Sequence, residues 1–164
     1  MIYSYDYEKD GSFLGSIVSF SDTIYARYIA IRIINPVTTA TNVGYWYPRI
    51  SEIAVLGTDA NVPDEETELT KHMPLNVYLT DKNGKKTEIT NQFSADGVKG
   101  LSDGDKDTKV TFTVNNDKFD LVYNLCKNYD ITKVTVDRAG SFGYSIYAAE
   151  TFSELWGDKA KLSS

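Results

Sequence analysis

A cluster of oxygen-bearing side chains lies in the second half of the 164-residue chain, in the run Asp103-Gly-Asp105-Lys-Asp107-Thr108. Carboxylates at alternate positions of a loop suit Ca²⁺, which prefers several oxygen ligands in a flexible arrangement. The run begins like an EF-hand loop, but Thr108 and Val114 stand where that loop requires glycine and a bidentate glutamate. Two alternatives remain open: a cation site of another geometry, or a loop of Asx turns with solvated carboxylates.

Two further segments carry side chains that could recognise a ligand. Tyr45-Trp46-Tyr47 offers flat apolar rings, which stack on the C–H faces of sugars. Arg138, in the segment DRAGSFG, offers a bidentate donor for hydroxyl or carboxylate groups. Phe142 follows in the same segment, and Asn42 could add hydrogen bonds. We predict ligand contact by these six residues; the alternative for the aromatic rings is packing that shields the rim of the core.

Catalysis has little support in the sequence. His72 is the only histidine and Cys126 the only cysteine, and no nucleophile motif lies near either. A Ser-His-Asp or Cys-His site would require His72 to fold back onto a distant serine or onto Cys126. We therefore predict that the chain is not an enzyme, that it has no internal disulfide, and that Cys126 is a small buried apolar group.

The sequence pattern predicts that the elements that position these residues are β-strands. In Arg27–Ile34 the residues Ile29, Ile31 and Ile33 share one face, and a second strand follows at Arg49–Leu56. Further apolar alternation predicts strands at the following positions: 13–20, 75–80, 87–93, 110–114, 121–125, 131–136 and 144–148. Asp81–Gly84 predicts a hairpin turn, and Thr151–Glu154 fits a capping box that opens a single helical turn. This pattern predicts an all-β, antiparallel β-sandwich.

Charge and composition exclude some partners and predict a linker. The net charge of −6 argues against binding to nucleic acid and opposes binding to anionic membranes. Residues 59–74 are acidic and almost without apolar side chains, so they are predicted to form a solvated linker between residues 1–58 and 75–164.

The strand motifs resemble one known family. The run ARYIAIRI followed by RISEIAVLG is similar to the closing strands of the discoidin, or coagulation-factor type C, domain. The runs GLSDGDKDTKVTF, DLVYNLCKNYDITKVTV and GYSIYAAETFSELW resemble its opening half. Val110 stands where the family usually has tryptophan, and Cys126 where it usually has glycine. The resemblance implies a galactose-binding-domain-like jelly roll of the bacterial carbohydrate-binding-module type.

The resemblance also implies a calcium site and a ligand-binding end. In such domains the aspartate loop wraps a structural Ca²⁺ together with a glutamate of the final strand. The implied ligands are Asp103, Asp105, mainly through its carbonyl oxygen, Thr108 and Glu52. Ligand recognition would use loops at one end of the sandwich. The galactose-type members use a histidine and an arginine there, and this chain has no histidine in that region, so their pocket is not predicted.

The two family-like halves stand in reversed order. A circular permutant would close on itself through the acidic segment, since domain termini often lie close together. A piece of a tandem array would instead pair its halves with neighbouring domains or in a swapped homodimer. We expect self-closure and a carbohydrate-binding module of a secreted or cell-surface bacterial protein. The alternatives are a structural, adhesion or protein-docking module and, with less support, a binder of lipid headgroups.

Overall fold

The structure, a computed structural model, describes residues 4–5, 16–34, 40–41, 44–45, 49–73, 75–81, 83–93, 98–105, 108, 110–112, 118–139 and 142–157. The strands are β1 Ser4–Tyr5, β2 Ser16–Ile34, β3 Ala40–Thr41, β4 Gly44–Tyr45, β5 Arg49–Asp59, β6 Val62–Glu68, β7 Leu75–Thr80, β8 Lys86–Glu88, β9 Val110–Thr111, β10 Lys118–Ala139 and β11 Gly143–Ala149. Single 3₁₀ turns cover Thr90–Gln92, Gly100–Ser102 and Glu154–Trp156. The all-β prediction is confirmed, whereas the jelly-roll connectivity stays a prediction. No helix among the described residues is long and apolar enough to cross a membrane.

Every strand pair is antiparallel. The main sheet runs in the order β1-β11-β2-β10-β5-β6, with β7 and β8 alongside the first part of β10 and β9 beside the start of β5. β3 and β4 form a separate small hairpin. β10 and β11, from the second family-like segment, pair with β2 and β5 from the first. The two segments thus contribute strands to one sheet.

Two long strands, β2 and β10, join the layers of the sandwich-like sheet. Residues 119–123 of β10 pair with β7, whereas residues 130–139 pair with β5. The register with β2 shifts between Asn124 and Tyr129 and again between Ile131 and Lys133. Such irregularities bend a strand and increase its twist. The segments 121–125 and 131–136, which the sequence predicts as separate strands, therefore belong to one bent strand, β10.

The predicted alternation in β2 is confirmed in detail. Ile29, Ile31 and Ile33 are fully buried in the main core, which lies between the layers. The hydroxyl of Tyr123 in β10 hydrogen-bonds the hydroxyl of Ser102, which also approaches the carbonyl oxygen of Ile53 in β5 at 3.4 Å. This buried polar chain connects the two layers across an otherwise apolar interior.

We call β2, β7, β11 and the first part of β10 the first layer; its face away from the main core has its own smaller core. Ala30, Val122, Tyr147 and Leu155 form this second cluster, and Trp156 packs against it. Leu155 arrives on the 3₁₀ turn predicted from the capping box, where the backbone N–H of Glu154 donates to the Thr151 hydroxyl at 3.3 Å. The turn thus covers a face that alternation alone would leave exposed to solvent.

A buried ion-pair network stands beside this second cluster. Asp120 is 1% exposed and accepts from Arg32 at 2.7 and 3.2 Å and from Lys86 at 3.3 Å. Arg32 also donates to the hydroxyl of Tyr147 at 3.2 Å. One carboxylate therefore balances two cations that come from β2 and β8.

Three local predictions are corrected by the structure. Part of the acidic segment 59–74 is not a free tether, because β6 pairs with β5 and its Glu66 binds Lys133 and Thr132 of β10. The segment 87–93 ends its strand at Glu88 and continues as a 3₁₀ turn. Cys126 is exposed rather than buried, and its φ of 71° lies in the left-handed region that glycine favours. The resembled family has glycine at this position.

Candidate functional site

Glu52 occupies an unusual position in β5. Its neighbour Ile53 points into the main core, so Glu52 faces the other side of the strand, where its backbone pairs with Asp137 of β10. It nevertheless is only 6% exposed. Neither of its carboxylate oxygens has a hydrogen-bond partner within the described residues. A buried carboxylate without a partner is costly unless a proton or a cation neutralises it.

Further carboxylates surround Glu52 in a cleft of about 380 Å³. Glu68 of β6 and Asp137 of β10 line this cleft, together with Gly104 from the aspartate loop. One carboxylate oxygen of Glu68 is also buried without a hydrogen-bond partner among the described residues. We call this feature the acidic cleft and define it by Glu52, Glu68, Asp103 and Asp137.

Burial and charge repulsion shift the proton affinity of Glu52 in the same direction. Loss of solvent contact raises the pKa of Glu52 from 4.5 to about 7, and the nearby Glu68, Asp103 and Asp137 add to the rise. The backbone amide of Gly104 opposes the rise, although it does not meet hydrogen-bond geometry. A cation in the cleft would compete with the proton for this carboxyl group.

The loop from Asp103 adopts a compact turn beside this carboxylate. The backbone N–H of Asp105 donates to the Asp103 carboxylate at 2.8 Å, and that of Thr108 donates to the Asp105 carbonyl at 3.2 Å. Gly104 has a φ of 82°, which suits glycine in such a turn. The Asx-turn alternative thus describes the local geometry, while the Asp103 carboxylate still raises the Glu52 pKa through its charge.

Of the four residues that the resemblance implied as calcium ligands, Asp103 and Glu52 are electrostatic neighbours. Within the described part of the chain, no three Asp, Glu, His or Cys side chains are grouped so that they could hold a metal ion. The orphaned Glu52 carboxylate fits a hard cation, and main-chain oxygens would have to supply most of the remaining ligands.

The predicted ligand loops are described only in part. Trp46, Tyr47 and Asn42 lie outside the described residues. Tyr45 pairs with Ala40 in the β3–β4 hairpin, and Arg138 pairs with Ile50; for both, only the backbone is described.

Phe142 is placed differently from the expectation. It is 2% exposed and belongs to the main core. A ring enclosed in the core offers no face to a sugar, so this position argues against the role in stacking that we predicted for it.

Glu68 is the member of the acidic cleft that sequence reasoning missed. It stands in a stretch without an apolar alternating face, so periodicity gave no strand there. Its place depends on the pairing of Glu68 with Leu56 in β5, which sets the end of β6 against the cleft. Only a sequence pattern typical of a β5–β6 hairpin could have predicted the position of Glu68. The composition of the segment predicts a linker instead.

Comparison of the chain with protein-family models, with curated proteins and with solved structures found no match. The likeness to discoidin-type domains therefore depends on the residue patterns alone.

Proposed function

We propose that this chain is a non-catalytic carbohydrate-binding module of a secreted or cell-surface bacterial protein, stabilised by a bound Ca²⁺. The observation that carries the proposal is the buried, unpartnered Glu52 carboxylate beside Asp103. These residues are 51 positions apart in the sequence. Their proximity is what the discoidin resemblance requires, because there a structural ion joins the opening loop to the final strand.

The role of the cation is structural in this proposal. Ca²⁺ at the acidic cleft would replace the proton that Glu52 otherwise needs and would attach the aspartate loop to β5. The glycan would bind elsewhere, through aromatic and amide side chains, and no bond would be made or broken. The loop bearing Trp46 is the site that the sequence favours.

A glycan-array screen in the presence of Ca²⁺ tests the proposal. We expect saturable binding to a restricted set of glycans, weakened when a chelator removes the ion. Trp46→Ala should reduce binding if the aromatic loop takes part. Tyr25→Ala is the matched control, because Tyr25 is a 52% exposed aromatic residue in the middle of β2.

A blank array with Ca²⁺ present would overturn the carbohydrate proposal. The structural or protein-docking alternative would then be the better account of the fold. If neither the chelator nor Glu52→Gln changes the glycan affinity, the sugar-binding function would be retained and the bound Ca²⁺ would have no part in it.

A further inference from the structure

A groove of about 430 Å³ lies on the outer face of the first layer, at the edge of the second cluster. Strands β2, β7 and β10 form its base. Tyr28 of β2 stands directly opposite Asn124 of β10, and Val122 stands opposite Asn76 of β7. The groove opens where β10 leaves the register of β2 after Asn124.

Aromatic rings form one side of this groove. Phe152 packs against Tyr28 at a centroid distance of 5.9 Å and against Tyr78 at 5.4 Å. All three side chains are partly exposed, whereas Val122 beneath them is 4% exposed. Trp156 supports Phe152 from behind at 5.5 Å in an edge-on contact. The rings are therefore held in place by packing and still present surface to the groove.

Two amide side chains supply directed hydrogen-bonding groups. The Asn124 side-chain oxygen accepts from Arg27 Nε at 3.0 Å and from the Cys126 backbone N–H at 2.9 Å. These two donors fix the amide, and its NH₂ group makes no hydrogen bond to the described residues. Asn76 contacts the Tyr78 hydroxyl through its own NH₂ group at 3.5 Å, which leaves its oxygen as an acceptor. The groove thus offers a donor and an acceptor beside apolar rings.

The charge of the lining restricts the class of ligand. Every residue that lines the groove is formally uncharged. Arg27 is engaged with Asn124 and lies 5.3 Å from the centre of the Tyr28 ring. A charged ligand would find no ionised side chain among the lining residues, and a purely apolar ligand would leave both amides unsatisfied.

We propose that this outer-face groove binds the neutral end of a glycan, with a sugar ring against Phe152 and Tyr28 and its hydroxyls on Asn124 and Asn76. A sugar ring combines apolar C–H faces with hydroxyl groups that both donate and accept, which matches this lining. The volume lies at the low end for ligand pockets and suits about one or two sugar rings. This inference rests on the proposed carbohydrate-binding function, but it assigns the ligand to a surface remote in sequence from Trp46.

Asn124→Asp is the sharpest variant for the test. It keeps the oxygen that accepts from Arg27 and Cys126, so the fold should be retained, and it removes the groove's donor. We expect affinity for the best neutral glycan from the array to fall about five- to tenfold, as for one lost hydrogen bond. Asn83→Asp in the β7–β8 turn makes the same chemical change at an exposed position and should leave affinity unchanged.

Cys126 provides a second readout, because it is the only cysteine, is exposed and lines the groove. At a glycan concentration of about ten times Kd, the unbound fraction falls to about a tenth, and alkylation of Cys126 should slow about tenfold. At the same glycan concentration, alkylation of Cys126 should slow less in Asn124→Asp than in the parent protein.

The outcomes separate this proposal from the function on which it rests. A blank array overturns both. A second outcome is that the glycan still binds Asn124→Asp, leaves Cys126 fully reactive, and no longer binds Trp46→Ala. That outcome would overturn the proposal that the groove binds the glycan and retain the carbohydrate-binding function. Selective binding of acidic glycans would also overturn the proposal that the groove is the glycan site, because the residues that line it are uncharged.

Discussion

Glu52→Gln should stabilise the ion-free protein at alkaline pH. Glutamine has nearly the same shape as glutamate and carries no charge, so it removes the cost of ionising a buried carboxyl group. Because the pKa of Glu52 is raised to about 7, the folded state binds this proton more tightly than the unfolded chain does. The free energy of unfolding of the parent protein should therefore fall as the pH rises from about 4.5 through 7.

The magnitude follows from the shift in pKa. A rise from 4.5 to about 7 corresponds to about 3 kcal/mol at about 1.4 kcal/mol per pKa unit. Solvent at the mouth of the cleft screens part of this energy, so we expect about 1–2 kcal/mol in favour of the variant above pH 7. Below about pH 4.5 the glutamate is protonated in both states, and the difference should vanish.

Urea unfolding in the presence of a chelator, at about pH 4.5 and about pH 8, measures this difference. Glu88→Gln, an exposed glutamate of β8, is the control and should behave as the parent does at both pH values. Added Ca²⁺ at the higher pH should stabilise the parent and not Glu52→Gln. Parallel pH profiles for the parent and Glu52→Gln would refute the reasoning, because they would mean that Glu52 is solvated in the folded state.

Two further predictions concern stability away from the acidic cleft. Asp120→Asn should cost about 3–5 kcal/mol in urea unfolding, because it leaves Arg32 and Lys86 without their buried counter-charge. Asp59→Asn breaks the more exposed pair with Lys127 and should cost much less than Asp120→Asn; equal losses for the two variants would show that burial does not set the difference. Cys126→Gly should stabilise the protein by about 0.5–1 kcal/mol, since glycine relieves the left-handed backbone at φ 71° but loses more entropy on folding. A lower Tm for Cys126→Gly would contradict this account.

Local sequence patterns predicted much of the β-structure. Alternation placed Ile29, Ile31 and Ile33 on the core face, and the turn at Asp81–Gly84 joins β7 to β8 as its sequence indicates. The capping-box pattern correctly placed the final 3₁₀ turn at Glu154–Trp156. These features are encoded by neighbouring residues, whose side-chain period and backbone preferences are independent of the rest of the chain.

Predictions that needed long-range information were less successful. The composition of the acidic segment predicts a linker, yet its Glu66 contacts Lys133 and Thr132 on β10. Cys126 was expected to be buried, but the strand bulges there and turns the thiol outward. Phe142 was expected in a binding loop and lies instead in the core. These environments depend on pairing and packing across the whole chain, which local patterns do not encode.

The sequence by itself determined which side chains share a strand face and where the chain turns, because both depend on residues a few positions apart. Only the tertiary structure decided which faces meet. It placed Glu68 of β6 near Glu52 of β5, and it set Phe152 over Tyr28 and Tyr78. The acidic cleft and the outer-face groove both arise from the pairing register between strands. A change of one residue in the pairing of β5, β6, β2 or β7 would turn Glu52, Glu68, Tyr28 or Tyr78, respectively, to the opposite face.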